Sequence, residues 1–104
     1  MVSRHVSEGR QGQGQDEIIA YSITTTPWGG TPANVVVKAY EIASNGAYTD
    51  VTSTVLSGSA SVVTDVITTP LVTSLTAGKL YRVEVKWTFG GNTLECYFEI
   101  LGER

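Results

Sequence analysis

The sequence predicts an all-β chain: one antiparallel two-sheet sandwich of about seven strands, preceded by a flexible N-terminal arm. Three observations predict it. Two long alternating runs, Tyr81 to Phe89 and Leu94 to Ile100, flank Gly90-Gly91 and read as a hairpin. Shorter β-branched and aromatic segments precede them, separated by Pro, Gly and Asn-Gly turn signals. No segment carries apolar residues at i, i+3, i+4 and i+7 for long enough to make a helix.

Residues 1–15 stand apart. Gly9-Arg10-Gln11-Gly12-Gln13-Gly14-Gln15 has no apolar residue, so burial cannot offset the entropy of ordering it. The expected boundaries are a Gly/Gln-rich arm over 1–15 and a folded domain over 16–104. The arm's alternative to a loose terminus is to order on a neighbouring subunit, which makes Arg4 and Arg10 candidate partner contacts. Its glycines do not match a phosphate-binding fingerprint.

Strand character begins at Glu17, with Ile19, Tyr21 and Ile23 on one face. Two prolines and two glycines make residues 26–32 a loop around Trp28. Residues 34–42 form the next strand, with Val35, Val37 and Ala39 inward and Lys38 outward. Tyr40 and Ile42 fall on the other parity, which predicts a bulge near Ala39 or a sheet covered on both faces. Ser44-Asn45-Gly46 turns the chain, and residues 48–55 make a third strand anchored by Val51 and Val55. Residues 60–69 form short strands broken near Asp65, and Pro70 ends pairing.

In the final hairpin Tyr81, Val83, Val85, Trp87 and Phe89 share one face, with Leu94, Cys96, Phe98 and Ile100 facing them from the second strand. A Gly90-Gly91 turn places Lys86 opposite Glu95 and Arg82 opposite Glu99. A Gly91-Asn92 turn places Glu84 opposite Glu99 instead. Cross-strand opposite charges help and like charges hurt by roughly 0.2–1 kcal/mol, so the first register is expected. Leu75, Gly78 and Tyr81 have the spacing of a tyrosine corner, which opens the last hairpin of an immunoglobulin-like sandwich; its tyrosine hydroxyl bonds backbone a few residues upstream. The last strand, rich in β-branched and aromatic residues, offers an edge for pairing with another chain.

At 104 residues with 41% hydrophobic content the chain makes one domain with one core. A net charge of -3 and a charged fraction of 16% do not resemble a nucleic-acid binder. The residues after Met1 have no apolar signal-peptide core, and no apolar run approaches a membrane span, so neither secretion by a signal peptide nor a membrane partner is expected. Cys96 is the single cysteine, which excludes an intrachain disulfide.

Candidate chemistry is sparse. His5 is the single histidine and lies in the arm. Cys96 alternates inward between Leu94 and Phe98 and reads as an apolar filler. Asp16, Glu17, Glu41, Asp50, Asp65 and Glu84 are scattered, with no calcium-loop spacing and no catalytic pair. The reading is of a non-enzyme without metal or cofactor. Trp28 either caps the open end of the sandwich or stands exposed as an anchor for a partner protein or a sugar, and Tyr97 on the outward face has the same two readings.

Thr25-Thr26-Pro27-Trp28-Gly29, the segment Asp50 to Val55, the segment Leu75 to Val85 and the segment Gly91 to Phe98 together resemble a group of small bacteriophage and prophage proteins of the virion structural modules. The resemblance runs from about Asp16 to Glu103. It implies a head decoration, head–tail or tail assembly protein, made in the bacterial host cytoplasm, with other virion proteins and self-association as its contacts. The same corner and hairpin are similar to fibronectin type III and bacterial immunoglobulin-like domains, a match of fold that carries no function.

Overall fold

The computed structural model describes residues 3–5, 10–26 and 30–104. In chain order the elements are β1 (Ser3–His5), β2 (Gln11–Gly14), β3 (Ser22–Thr24), β4 (Ala33–Ile42), β5 (Tyr48–Asp50), the single helical turn α1 (Thr52–Val55), β6 (Leu56–Ser57), β7 (Ser61–Val63), β8 (Val66–Thr68), β9 (Leu71–Val72), β10 (Leu80–Phe89) and β11 (Asn92–Glu103). The large sheet has the order β1-β11-β10-β4-β5, with β2 also paired to β11. Across the core lie the three-stranded sheet β3-β8-β7 and the ribbon β6-β9, which bridges to Ile19 through Val72.

The core is where the alternation of the final hairpin meets the smaller sheets. Tyr81, Val83, Val85 and Trp87 from β10, and Cys96, Phe98 and Ile100 from β11, are buried with Ala39, Ile23, Val55, Ile67, Val72 and Leu75. Removing such a side chain, as in Ile100→Ala, costs about 2–5 kcal/mol through lost burial and the cavity left behind. Phe89, expected on this face, is 39% exposed because it lies at the rim, beside Gly30.

The hairpin register is the one with Lys86 opposite Glu95 and Arg82 opposite Glu99, while Glu84 faces Tyr97. Gly90 and Gly91 have φ of 57° and 83°, the paired positive angles that a tight two-residue hairpin turn demands. At the corner Leu75 is buried, Gly78 has φ of 85°, and the Thr76 N–H donates to the Tyr81 hydroxyl oxygen at 2.9 Å. The Gly78 N–H donates to the Gly102 carbonyl at 2.8 Å, which ties the corner to β11.

Several expectations are corrected. The chain has more strand segments than seven, because the middle strands are broken and the N-terminal segment adds two. The segment expected to be a loose arm is, over Gln11–Gly14, a strand of the large sheet in parallel register with Ile100–Glu103. Ser3–His5 pairs in parallel with Glu95–Tyr97. Glycine and glutamine have no strand propensity of their own, but β11 presents a ready ladder. The edge of the last strand is therefore covered. The irregularity in β4 lies between the Lys86 and Thr88 pairings, next to Asn34 with φ of 54°, and not near Ala39. The third strand ends at Asp50, whose carboxylate accepts the Thr52 N–H at 2.9 Å while the Val55 N–H closes a helical turn onto the Val51 carbonyl at 3.0 Å.

Gln13 explains how so plain a strand is held. It is fully buried, and its Nε2 donates to the carbonyls of Val72 at 2.8 Å and Glu17 at 3.0 Å. Its Oε1 accepts from the Tyr21 hydroxyl at 2.7 Å. The Tyr21 ring packs on Phe98 with centroids 5.1 Å apart. Burial, and to a lesser degree the Glu17 carboxylate, pushes the Tyr21 phenol above its ordinary pKa.

Candidate functional site

The outward face of the large sheet concentrates the chain's polar and aromatic chemistry. β10 sits in the middle and alternates strictly, so its even-numbered residues face solvent while Tyr81, Val83, Val85 and Trp87 fill the core. Register then builds rows across three strands. Tyr40, Arg82 and Glu99 form one, Lys38, Glu84 and Tyr97 the next, and Val36, Lys86 and Glu95 a third.

Arg82 is the centre of this face. Its Nε donates to Glu84 Oε2 at 2.7 Å. Its guanidinium lies 3.7 Å from the centroid of the Tyr97 ring and 5.6 Å from that of Tyr48. Tyr48 in turn neighbours Tyr40, with centroids 6.1 Å apart. A guanidinium over a tyrosine face is attracted by the ring quadrupole and is held in one orientation by the carboxylate. Partial burial works against its charge, but the Glu84 hydrogen bond and charge, aided by Tyr48, outweigh that and hold Arg82 above its ordinary pKa. The side chain is thus a fixed cation in a tyrosine setting.

Beside this cluster Val36, Lys38, Tyr40, Glu84, Lys86 and Glu95 line an open recess of about 180 Å³. The ion pairs among the described residues are Arg10–Glu99 at 3.5 Å, Lys79–Glu41 at 3.0 Å and Arg82–Glu84. Lys38 and Lys86 are in none of these pairs, and both are exposed. Val36 is 43% exposed and Tyr48 51% exposed, which adds apolar area to the same face.

The sequence-derived candidates fall as follows. Tyr97 is on this face, half-buried beneath Arg82. Arg10 reaches its rim through Glu99. Arg4 lies in β1 opposite Cys96, and its backbone places it on the β11 side of the sheet. Trp28 lies outside the described residues. Leu75, Gly78 and Tyr81 form the corner and do not touch the outward face. Sequence reasoning missed Arg82, Tyr40, Tyr48, Lys38 and Lys86 as one group. The hairpin register already put Arg82 and Lys86 on the outer side, and the odd parity of Tyr40 was the second available signal.

Cys96 is fully buried in the core. Among the described residues no three His, Cys, Asp or Glu side chains come together to hold a metal, and no helix is long and apolar enough to cross a membrane. No protein-family model matches the sequence, and neither a curated protein nor a solved structure matches it significantly.

Proposed function

We propose that this chain is a non-enzymatic structural module of a bacteriophage or prophage particle, made in the host cytoplasm and working through protein–protein contacts of the outward sheet face. The observation that carries the contact surface is Arg82, fixed over Tyr97 by Glu84 beside Tyr40, Tyr48 and two exposed lysines. Tyrosine and arginine held rigid on a sheet supply contact area at low entropic cost, and they dominate binding energy at protein interfaces. Many weak copies of such a contact suffice in a repeating assembly. The particle assignment is supported by the resemblance of the segments around residues 25–29, 50–55, 75–85 and 91–98 to small phage structural proteins.

The test is incorporation. Particles assembled with wild-type chain and with the Arg82→Ala/Tyr97→Ala variant are purified, and the copy number of each chain is measured by quantitative mass spectrometry. The expected result is a stoichiometric wild-type signal and at least a tenfold loss in the variant, which corresponds to about 1.4 kcal/mol or more. Absence of the wild-type chain from intact particles sinks the particle assignment. Undiminished incorporation of the variant sinks the role of this face.

A further inference from the structure

The place that holds Gln13 is built as a receptor for a primary amide. The Val72 and Glu17 carbonyls accept from Nε2, and the Tyr21 hydroxyl donates to Oε1. Two acceptors and one donor match the two N–H groups and the oxygen of a carboxamide. A glutamate there turns oxygen against two carbonyl oxygens, and an apolar side chain meets none of the three groups. The flanks are tight. A Cβ on Gly12 would come within 2.9 Å of Glu103 Oε1, and one on Gly14 within 3.1 Å of Glu17 Oε1, which already accepts the Gly14 N–H. Gly-Gln-Gly occurs once in the chain, at residues 12–14. The tether of this segment to the body is short and exposed. The Glu17 N–H donates to the Gly14 carbonyl at 3.0 Å and closes a turn with Gln15 and Asp16 at its centre. Residues 15–18 are all exposed, and Ile18 is 62% exposed, a large apolar side chain next to that turn.

We infer that this socket also receives the Gly12-Gln13-Gly14 segment of a second copy, so that two chains exchange their N-terminal strands across a twofold axis at the hinge. The partner's Gln13 then supplies the amide to the Val72 and Glu17 carbonyls and the Tyr21 hydroxyl. The ladder of β2 on β11 is reproduced between chains, and only the turn over residues 14–17 opens. The three steps from Gly14 to Glu17 reach about 10 Å when extended. The two bodies are therefore held close at the hinge, where the Ile18 side chains of both copies meet and leave water. A second copy is the occupant because it brings the same amide between the same glycines, and because its hinge presents a matching Ile18. The same approach gathers Asp16 and Glu17 of both chains. Their repulsion favours the closed monomer at low ionic strength and fades as salt screens it.

The socket lies at the β11 edge, apart from the tyrosine–arginine face, so its test is independent of particle incorporation. Wild-type chain is held at millimolar concentration in low and in high salt and followed by sedimentation. The expected result is a dimer whose fraction rises with salt. An equimolar mixture of isotope-labelled and unlabelled wild-type chains is then examined by isotope-filtered nuclear Overhauser spectroscopy. Gln13 side-chain protons of one copy are expected to contact the Tyr21 ring of the other. Gln13→Glu, with its fold checked by circular dichroism, is expected to weaken dimerisation at least tenfold, while Arg82→Ala/Tyr97→Ala leaves it unchanged. Deleting Gln15 and Asp16 removes the turn that closes the monomer and is expected to give a dimer already at micromolar concentration. A wild-type chain that stays monomeric at millimolar concentration in high salt overturns the inference, whatever the variants do. So does a dimer whose Gln13–Tyr21 contacts all lie within one chain, or one that survives Gln13→Glu.

Discussion

The covered border of the large sheet, along β11, and the open border, along β4, reverse what hydrophobicity alone suggests. The cover over β11 is Gln-Gly-Gln-Gly, without an apolar atom to bury beyond its methylenes. The border left open carries three consecutive valines. Strand addition at β11 is driven by backbone ladder bonds and by one buried polar side chain. Gln13 bonds two carbonyls and a phenol at once, and so ties β2 to Glu17, Val72 and Tyr21. At β4 the valine side chains already have somewhere to go, since Val35 and Val37 pack on the core from within their own sheet. What is missing there, among the described residues, is a strand to pair with the backbone. The lesson is that edges are closed by hydrogen-bond accounting, while apolar residues answer to faces.

This contrast can be broken most sharply at Gln13. Gln13→Ala takes this partner from the Glu17 carbonyl and the Tyr21 hydroxyl, leaves the Val72 carbonyl with the Ile19 N–H alone, and opens a hole beneath β2. The expected loss in urea-unfolding stability is about 3 kcal/mol. If the variant is as stable as wild type, the polar socket is not what secures the covered border.

Gly102 comes next. It is the residue of β11 opposite Gln13, and a Cβ there runs into the Thr76 carbonyl oxygen. Gly102→Ala must push the corner away from β11, at an expected cost of about 2 kcal/mol in chemical denaturation. Tyr81→Phe is milder. It removes the acceptor for the Thr76 N–H and keeps the buried ring, so about 1 kcal/mol is expected.

The pH dependence of the covered border follows from Tyr21. Its phenol is raised in the folded state by burial and then by Glu17, so the neutral form is the one the fold favours. That contribution is fully present below the unfolded phenol pKa of about 10 and is lost as pH rises through the higher folded value. The urea midpoint of the wild type should fall more steeply across this alkaline range than that of Tyr21→Phe. Parallel slopes contradict the assignment.

The smallest effect is expected on the other border. Val36→Thr, measured in dilute solution, should change stability by no more than about 0.5 kcal/mol, because the side chain stands exposed on the outward face of the sheet. A large loss there means that the Val36 side chain is not exposed as described.

Much of the hairpin was legible in residues 75–101. Alternation set which side chains face the core, the paired glycines set the turn, and charge pairing chose between the two registers. The contact that charge pairing produces is nonetheless less direct than the argument assumed. Arg82 is opposite Glu99 by register, yet its guanidinium bonds Glu84 two residues along its own strand and lies over Tyr97 on the diagonal. A two-residue step returns to the same face, so Arg82 has the intrastrand carboxylate as close as the cross-strand one. Tyr40 and Tyr48 could not be placed beside it from sequence, because their approach depends on a turn and a third strand. The one-turn helix after Asp50 was illegible for a similar reason. Four residues carry no periodicity, and a local Asp50–Thr52 hydrogen bond decides their conformation.

The sequence by itself determined the fold class, the inward and outward sides of β10 and β11, the glycine turn and the spacing of the tyrosine corner. Those features rest on local rules: a side-chain period of two, the φ freedom of glycine and the fixed reach of one tyrosine. Only the tertiary structure decided that Gln11–Gly14 is a strand, that Gln13 is buried, that the tyrosines converge on Arg82, and that β4 is, among the described residues, paired along only part of its outer border. Each of these depends on which distant backbone lies within hydrogen-bonding distance. Partners 59 residues apart in the chain, such as Gln13 and Val72, leave no pattern in either segment alone.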